Sequence, residues 1–421
     1  MIIARGTDTT IGRLPLAGVR ILDLTDEATV LAPRLLADLG AEVIRVEDAR
    51  GDRIRRRGPF LDGSAGLERS LAHLLYNGGK QSVALALETT TAWELVDRLA
   101  SSMRVIIAPL EKSEPARRFF EHARLATAHP GVGVVDTVLR RDAPDAAVAD
   151  LIGVAAGGLL YLNGFADDPP NVPAGRLAYK QASLAAALSA MTLIMAGQRG
   201  GKGGRISVSM QEAVMLTTLQ TANENYWHWH RIRPGRSGLA AIGGRSIFQT
   251  ADGQWVSFSI PPPYWDAYTG WLAEITSRDE FRSDLWRDRD YQADHREDIA
   301  EATTLLCAAL SRDHLVEEGQ RRHLLVLPVN DVASVAADPH LNARGFFSPV
   351  WHPQFERRLT MPSPPFLASA YEARPKLAPI VGQHTECVLR DIAGLTSDQI
   401  AALIQNGTAV SAHATAERVN D

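Results

Sequence analysis

The stretch that decides the fold is LPLAGVRILDLT (residues 14–25), followed by LLADLG (35–40) and AEVIRVE (41–47). Two aliphatic, β-branched runs flank a helical run closed by a glycine, which is the pattern of a parallel βαβ unit. The texture continues with Ser82-Val83-Ala84-Leu85-Ala86-Leu87, a helical run across Thr91 to Leu99, and Val105-Ile106-Ile107. Strands alternating with helices predict an α/β lobe built on a mostly parallel sheet.

Further along, an Ala-, Leu- and Met-rich segment from about Ser183 to Ala196 reads as a buried helix that stops at Gly197. Ile206-Ser207-Val208-Ser209 resumes a strand, and Met210 to Glu224 reads as another helix. From Tyr226 to about Val326 aromatics, prolines and charged helical runs take over. That part opens with a hairpin pattern, Ser246 to Phe258, turning at Ala251-Asp252-Gly253-Gln254. The proline-spaced stretch Phe347 to Pro379 reads as an extended connection, and a helix pair spans Thr385 to Gln405. The domain reading is a large lobe over 14–210 completed by 375–421, a connecting helix over 211–230, a small domain over 231–330 and a linker over 331–374.

Composition bounds the function. At 421 residues the chain exceeds the roughly 150 residues of one ordinary domain. Its 45% hydrophobic and 22% charged content is that of a globular protein. A net charge of -5, with only short arginine clusters, offers no field for nucleic acid, so none is expected as a partner. Two cysteines, Cys307 and Cys387, make no disulfide framework, and no metal is expected. No stretch approaches the ~18 apolar residues of a membrane span, so a cytoplasmic setting without a membrane partner is the expectation.

A series of landmarks in sequence order resembles the class III CoA transferases over nearly the whole chain. They are Leu16 to Thr25, Leu36 to Glu47, Asn77-Gly78-Gly79-Lys80-Gln81-Ser82, Ser209-Met210-Gln211-Glu212-Ala213, Pro328-Val329-Asn330, Asp338 to Phe347, and Gly382-Gln383-His384-Thr385. The resemblance implies a Rossmann-like large domain, a smaller α/β domain, a C-terminus returning to the large domain, and two chains interlocked as a dimer. It also implies acyl-CoA and a carboxylic acid as substrates, with coenzyme A thioester passing through and no cofactor held permanently. Some relatives pair two different chains, so a homodimer and a heterodimer with a related chain are both open.

The family's chemistry rests on an Asp carboxylate that attacks the thioester. Counting back from Ser209-Met210-Gln211 places Tyr179 in that slot, with Lys180 and Gln181 beside it. No Asp or Glu occurs between Asp168 and Glu212, so a shift of register brings no acid in. A phenol with an ordinary pKa near ~10 is a weak nucleophile at neutral pH. In the racemase branch of the family a His-Asp pair moves an α-proton, and it falls here at Ala149-Asp150. Asp150 is thus either a general base or a helix-capping carboxylate. The chain is accordingly read as a transferase, a nucleophile-deficient subunit of one, a proton-transfer isomerase, racemase, hydratase or lyase, or a non-catalytic binding subunit.

Other positions stand out as well. The family's Glu-Asn-Phe after the strand Val105-Ile106-Ile107 is Ala108-Pro109-Leu110, which leaves Asn77, Lys80, Arg50 and Arg53 as the groups available for CoA phosphates. Asp26 and Glu27 occupy the loop after the first strand, where α/β sheets bind ligands. Trp227 and Trp229, inside Tyr226-Trp227-His228-Trp229-His230, are candidates for an acyl pocket. Gly243 and Gly244 end a glycine-rich loop where the family carries a flap.

Overall fold

The computed structural model describes residues 13–109, 113–143, 146, 148–164, 168–218, 231 and 247–412. Its main sheet has seven strands: β1 (Arg20–Asp23), β2 (Glu42–Asp48), β3 (Gln81–Leu85), β4 (Val105–Ile107), β5 (Gly133–Val138), β6 (Arg205–Ser209) and a late strand (Ala409–Val410). In space the first six lie in the order β3-β2-β1-β4-β5-β6, all parallel, and the late strand adds antiparallel to β3.

Adjacent residues on a strand point to opposite faces, so a sheet covered on both sides needs unbroken apolar runs. Leu22, Ile44, Val83 and Ile106 pack on one side with Trp93, Val96 and Leu99 of the helix Thr90–Ala100. Ile21, Val43, Val105 and Val135 pack on the other with Leu36 of α1 (Leu31–Asp38) and with Ala186, Ala190 and Ile194 of the helix Leu177–Gln198. The opening βαβ reading therefore holds, and Gly40 ends its helix because a β-carbon there would sit 2.5 Å from Leu14 Cβ.

The long helix Leu177–Gln198 differs from the sequence reading in two respects. It begins well ahead of Ser183, and it is buried along one side only: Leu184 and Leu188 are 53% and 70% exposed. The alanines on its sheet-facing side permit close packing, and the outward leucines are matched by nothing in this chain among the described residues.

The chain separates into two compact units, one of 1–161, 171–230 and 345–421, the other of 162–170 and 231–344. The second unit holds a three-stranded antiparallel sheet, β7 (Ile247–Gln249), β8 (Trp255–Ser259) and β9 (Leu325–Pro328), with the hairpin turn at Asp252-Gly253 as its pattern predicts. Its core is aromatic, with Phe248, Phe258, Trp265, Tyr268, Trp271 and Phe281 all buried.

The segment read as an extended linker is structured in its first part, to Pro362, and runs without helix or strand from Ser363 to Ile380. It carries the short helices Val332–Ala337 and Pro339–Ala343, then an antiparallel ribbon of β10 (Phe347–His352) and β11 (Arg357–Pro362). Prolines pointed away from a strand, but both members of a two-stranded ribbon are edges, where a missing N–H has no ladder bond to lose.

Candidate functional site

The strand order reverses direction between β1 and β4, and loops leaving the C-terminal ends at such a point form the crevice in which open α/β sheets hold ligands. The loop after β1 carries Asp26 and Glu27. Asp26 Oδ1 accepts the Ala28 N–H at 2.9 Å, which closes a tight turn around Glu27.

The long helix Leu177–Gln198 enters the same place. Its N-cap residue Arg176 has a left-handed backbone, φ 54° and ψ 62°. The first turn is capped at long range: Asp150 Oδ1 accepts the Tyr179 N–H at 3.0 Å. The helix that Asp150 itself begins, Asp150–Ala156, has no side-chain cap. Asp150 is thus a helix-capping carboxylate for a helix other than its own.

Tyr179 packs with Ala28, Val154 and Ala178 at half-burial. Burial raises its pKa above that of an ordinary phenol; the charges of Asp26 and Glu27 push the same way and Arg176 opposes them. The phenol is therefore neutral at neutral pH and is a hydrogen-bond donor rather than a nucleophile. The Arg176 guanidinium lies over its ring, 5.8 Å from the centroid. Arg176 also pairs with Glu27 at 2.5 Å, and Arg57 pairs with the same Glu27 oxygen.

The structure thus brings Asp26, Glu27, Asp150 and Tyr179 together, and adds Arg57 and Arg176, which the sequence reading did not single out. No spacing could have revealed them, since both reach Glu27 from distant parts of the chain.

The expected phosphate ligands fare differently. Lys80 is 3% exposed and donates to Asp23 Oδ2 at 2.8 Å, Asn77 Oδ1 at 2.9 Å and the Val30 carbonyl at 3.1 Å. Asn77 is fully buried, and its side-chain nitrogen meets the His73 ring at 3.0 Å. Neither group is presented to a ligand, which runs against the phosphate role their motif suggests. Gly78 explains why the motif looks like a loop: a β-carbon there would lie 2.4 Å from both an Arg34 nitrogen and the Lys376 carbonyl oxygen. Arg50 is exposed and pairs with Asp48 at 2.8 Å, and Arg53 is exposed on the turn Arg53–Arg56. Trp227, Trp229, Gly243, Gly244 and Leu110 lie outside the described residues.

Lys80 instead grips the candidate loop. Its bonds join the end of β1 at Asp23 to Val30 at the start of α1, while Arg45 donates to Asp23 Oδ2 at 3.1 Å and to the Thr25 carbonyl at 3.2 Å. Burial, followed by the Arg45 charge, lowers the Lys80 pKa to about 7 against the pull of Asp23. Burial would raise Asp23, but the charges of Lys80 and Arg45 hold it down at about 2. Next to this cluster Arg55 donates to Glu47 at 2.6 and 2.8 Å and to the Pro379 carbonyl at 3.0 Å. Ser82 Oγ accepts the Gly382 N–H at 2.9 Å. The buried charges therefore seat the C-terminal segment on the sheet.

Comparison with known proteins agrees with this geometry. The description CoA-transferase family III matches residues 16–385. The succinyl-CoA:(R)-benzylsuccinate CoA-transferase subunit BbsE of Thauera aromatica is 28% identical over 92% of this chain and 96% of its own length. The succinyl-CoA–L-malate CoA-transferase beta subunit of Chloroflexus aurantiacus is also 28% identical, over 94% of this chain and 97% of its own. Among solved structures, a CAIB/BAIF family protein from Brucella suis superposes with a TM-score of 0.78 at 21% identity, covering 90% of this chain and 100% of that one, and shares the fold. The match across most of the chain, on a sheet whose strand order reverses between β1 and β4, places the protein in CoA-transferase family III.

Proposed function

We propose that this chain handles acyl-CoA thioesters in transfer of CoA to a carboxylic acid, and that it does so beside a related chain which supplies the nucleophilic carboxylate. The observation that carries this reading is the stretch from 169 to 211, which holds no acid, with Tyr179, a neutral phenol, at the position that counting back from Ser209-Met210-Gln211 assigns to the family's aspartate. The Thauera and Chloroflexus relatives are both named as subunits, which supports a two-chain assembly. Arg50 and Arg53, on the exposed rim, remain the candidates for CoA phosphates, and Asp26 and Glu27 border the thioester.

An interlocked dimer, with itself or with a related chain, gives the outward face of the long helix its cover. Leu184, Leu188 and Met195 recur at helical spacing and are 53%, 70% and 46% exposed. A monomer rarely leaves such a stripe open. The competing proton-transfer reading finds one oxygen of Asp150 already engaged, since Oδ1 accepts the Tyr179 N–H. It keeps Tyr179 as a proton donor with Asp26 or Glu27 as bases.

The test is incubation with succinyl-CoA, trapping with hydroxylamine, and mass spectrometry of the intact chain. No adduct is expected on the wild-type chain alone, and the Tyr179→Asp variant is expected to acquire one. An adduct on the unaltered chain would overturn the subunit reading. Deuterium uptake at the α-carbon of the thioester without any adduct would favour proton transfer.

A further inference from the structure

Two guanidinium groups from separate parts of the fold converge on one carboxylate at the mouth of the crevice. Arg57 follows the turn Arg53–Arg56, Arg176 caps the long helix, and both meet Glu27. All three side chains remain in contact with solvent: Glu27 is 28% exposed, Arg57 34% and Arg176 38%. This sets them apart from Asp23, Arg45, Glu47 and Arg55, whose side chains are at most 1% exposed. A planar guanidinium fork matches a carboxylate in shape and charge, and paired forks are a recurring way to read one. Ion pairs that stay hydrated gain little from each other, so an incoming carboxylate can replace Glu27 at small cost.

We infer that Arg57 and Arg176 form a clamp for the free carboxylate of a dicarboxylic acyl-CoA, and that Glu27 is its resident occupant when substrate is absent. This names the substrate class of the site and rests on the acyl-CoA reading above. Forming the thioester consumes one carboxyl group of the acid, so any carboxylate that an acyl-CoA itself presents to the clamp is a second one.

Three features aim the clamp. Arg176 holds a left-handed backbone that a side-chain-bearing residue adopts only when its surroundings demand it, so its direction is set by the fold. Tyr179 lies beneath Arg176 and keeps its proton, which supplies a neutral donor for an anionic oxygen. The N-terminus of the 22-residue helix adds the positive end of its peptide dipoles.

Isothermal titration of the full chain with succinyl-CoA and butyryl-CoA, which differ in a terminal carboxylate against a methyl, tests the clamp. The wild-type chain is expected to bind succinyl-CoA about tenfold more tightly, the scale of one charge-assisted contact. Arg176→Gly, compatible with a left-handed backbone and so with folding, is expected to erase that preference by weakening succinyl-CoA far more than butyryl-CoA. Glu27→Gln is expected to tighten succinyl-CoA alone. Equal affinity for the two thioesters in the wild type, or equal weakening of both by Arg176→Gly, overturns the clamp and leaves thioester binding standing. Failure of both thioesters to bind overturns the clamp and the acyl-CoA reading together.

Discussion

The two charge clusters of the large lobe are made from the same residue types and do opposite things. Under β1, β2 and β3, Asp23, Arg45, Glu47, Arg55 and Lys80 are sealed from water with their hydrogen bonds directed at one another and at the chain. A few residues away in sequence, Glu27 and Arg57 stand at the crevice mouth with partial access to solvent. In the first cluster each charge depends on its partner, because an ion left alone in low dielectric is very unfavourable. In the second, water can take over from a lost partner. Burial, more than residue identity, separates the framework from the candidate site.

The sharpest way to break this comparison is Arg55→Met, which leaves Glu47 buried without its guanidinium. A loss of about 3–5 kcal/mol in urea unfolding is expected. A loss below about 1 kcal/mol would place the two clusters in the same class.

Next comes the pH dependence of Lys80. Its pKa is about 7 in the folded chain against 10.5 as the ordinary value, so between these limits the unfolded chain holds a proton that the folded chain has released. Raising pH across that window therefore stabilises wild type relative to Lys80→Met, by at most about 1.4 kcal/mol per pH unit. A stability difference flat from pH 7 to 10 would contradict the burial of Lys80. Asp23 works at the other end: its folded pKa of about 2 lies below the ordinary 3.8, so its contribution is present above 3.8 and is lost as pH falls through about 2.

A smaller effect is expected from Asp150→Ala, about 1 kcal/mol, with faster amide exchange confined to the first turn of the long helix. Loss of activity without that local exchange would return Asp150 to a chemical role. The smallest is Arg57→Met, within about 1 kcal/mol in thermal or urea unfolding and weaker still at high salt.

Much of this lobe is legible before any coordinates. Leu14 to Glu47 carries a period, a stop glycine and two apolar runs that have few foldings open to them. The turn at Asp252-Gly253 is equally local. The start of the long helix at Leu177 was hidden because its cap, Asp150, comes from elsewhere in the chain, and helix-start patterns are written for neighbours. The ribbon Phe347 to Pro362 was hidden because its prolines sit on edge strands, where the usual penalty is absent. Asn77 and Lys80 drew a phosphate role from a glycine-flanked motif whose glycine in fact makes room for Arg34 and for the chain near Lys376.

By itself the sequence determined the alternation of strands and helices, the family, and the lack of any acid between Asp168 and Glu212. Those are properties of local pattern and composition, and they survive whatever the chain does in space. Only the tertiary structure decided which charges face water. Ser82 meets Gly382 across 300 positions, and Glu27 gathers Arg57 and Arg176 from two other elements. The energy of a charge depends on its dielectric surroundings and its partners, and both are created only when distant segments close over it.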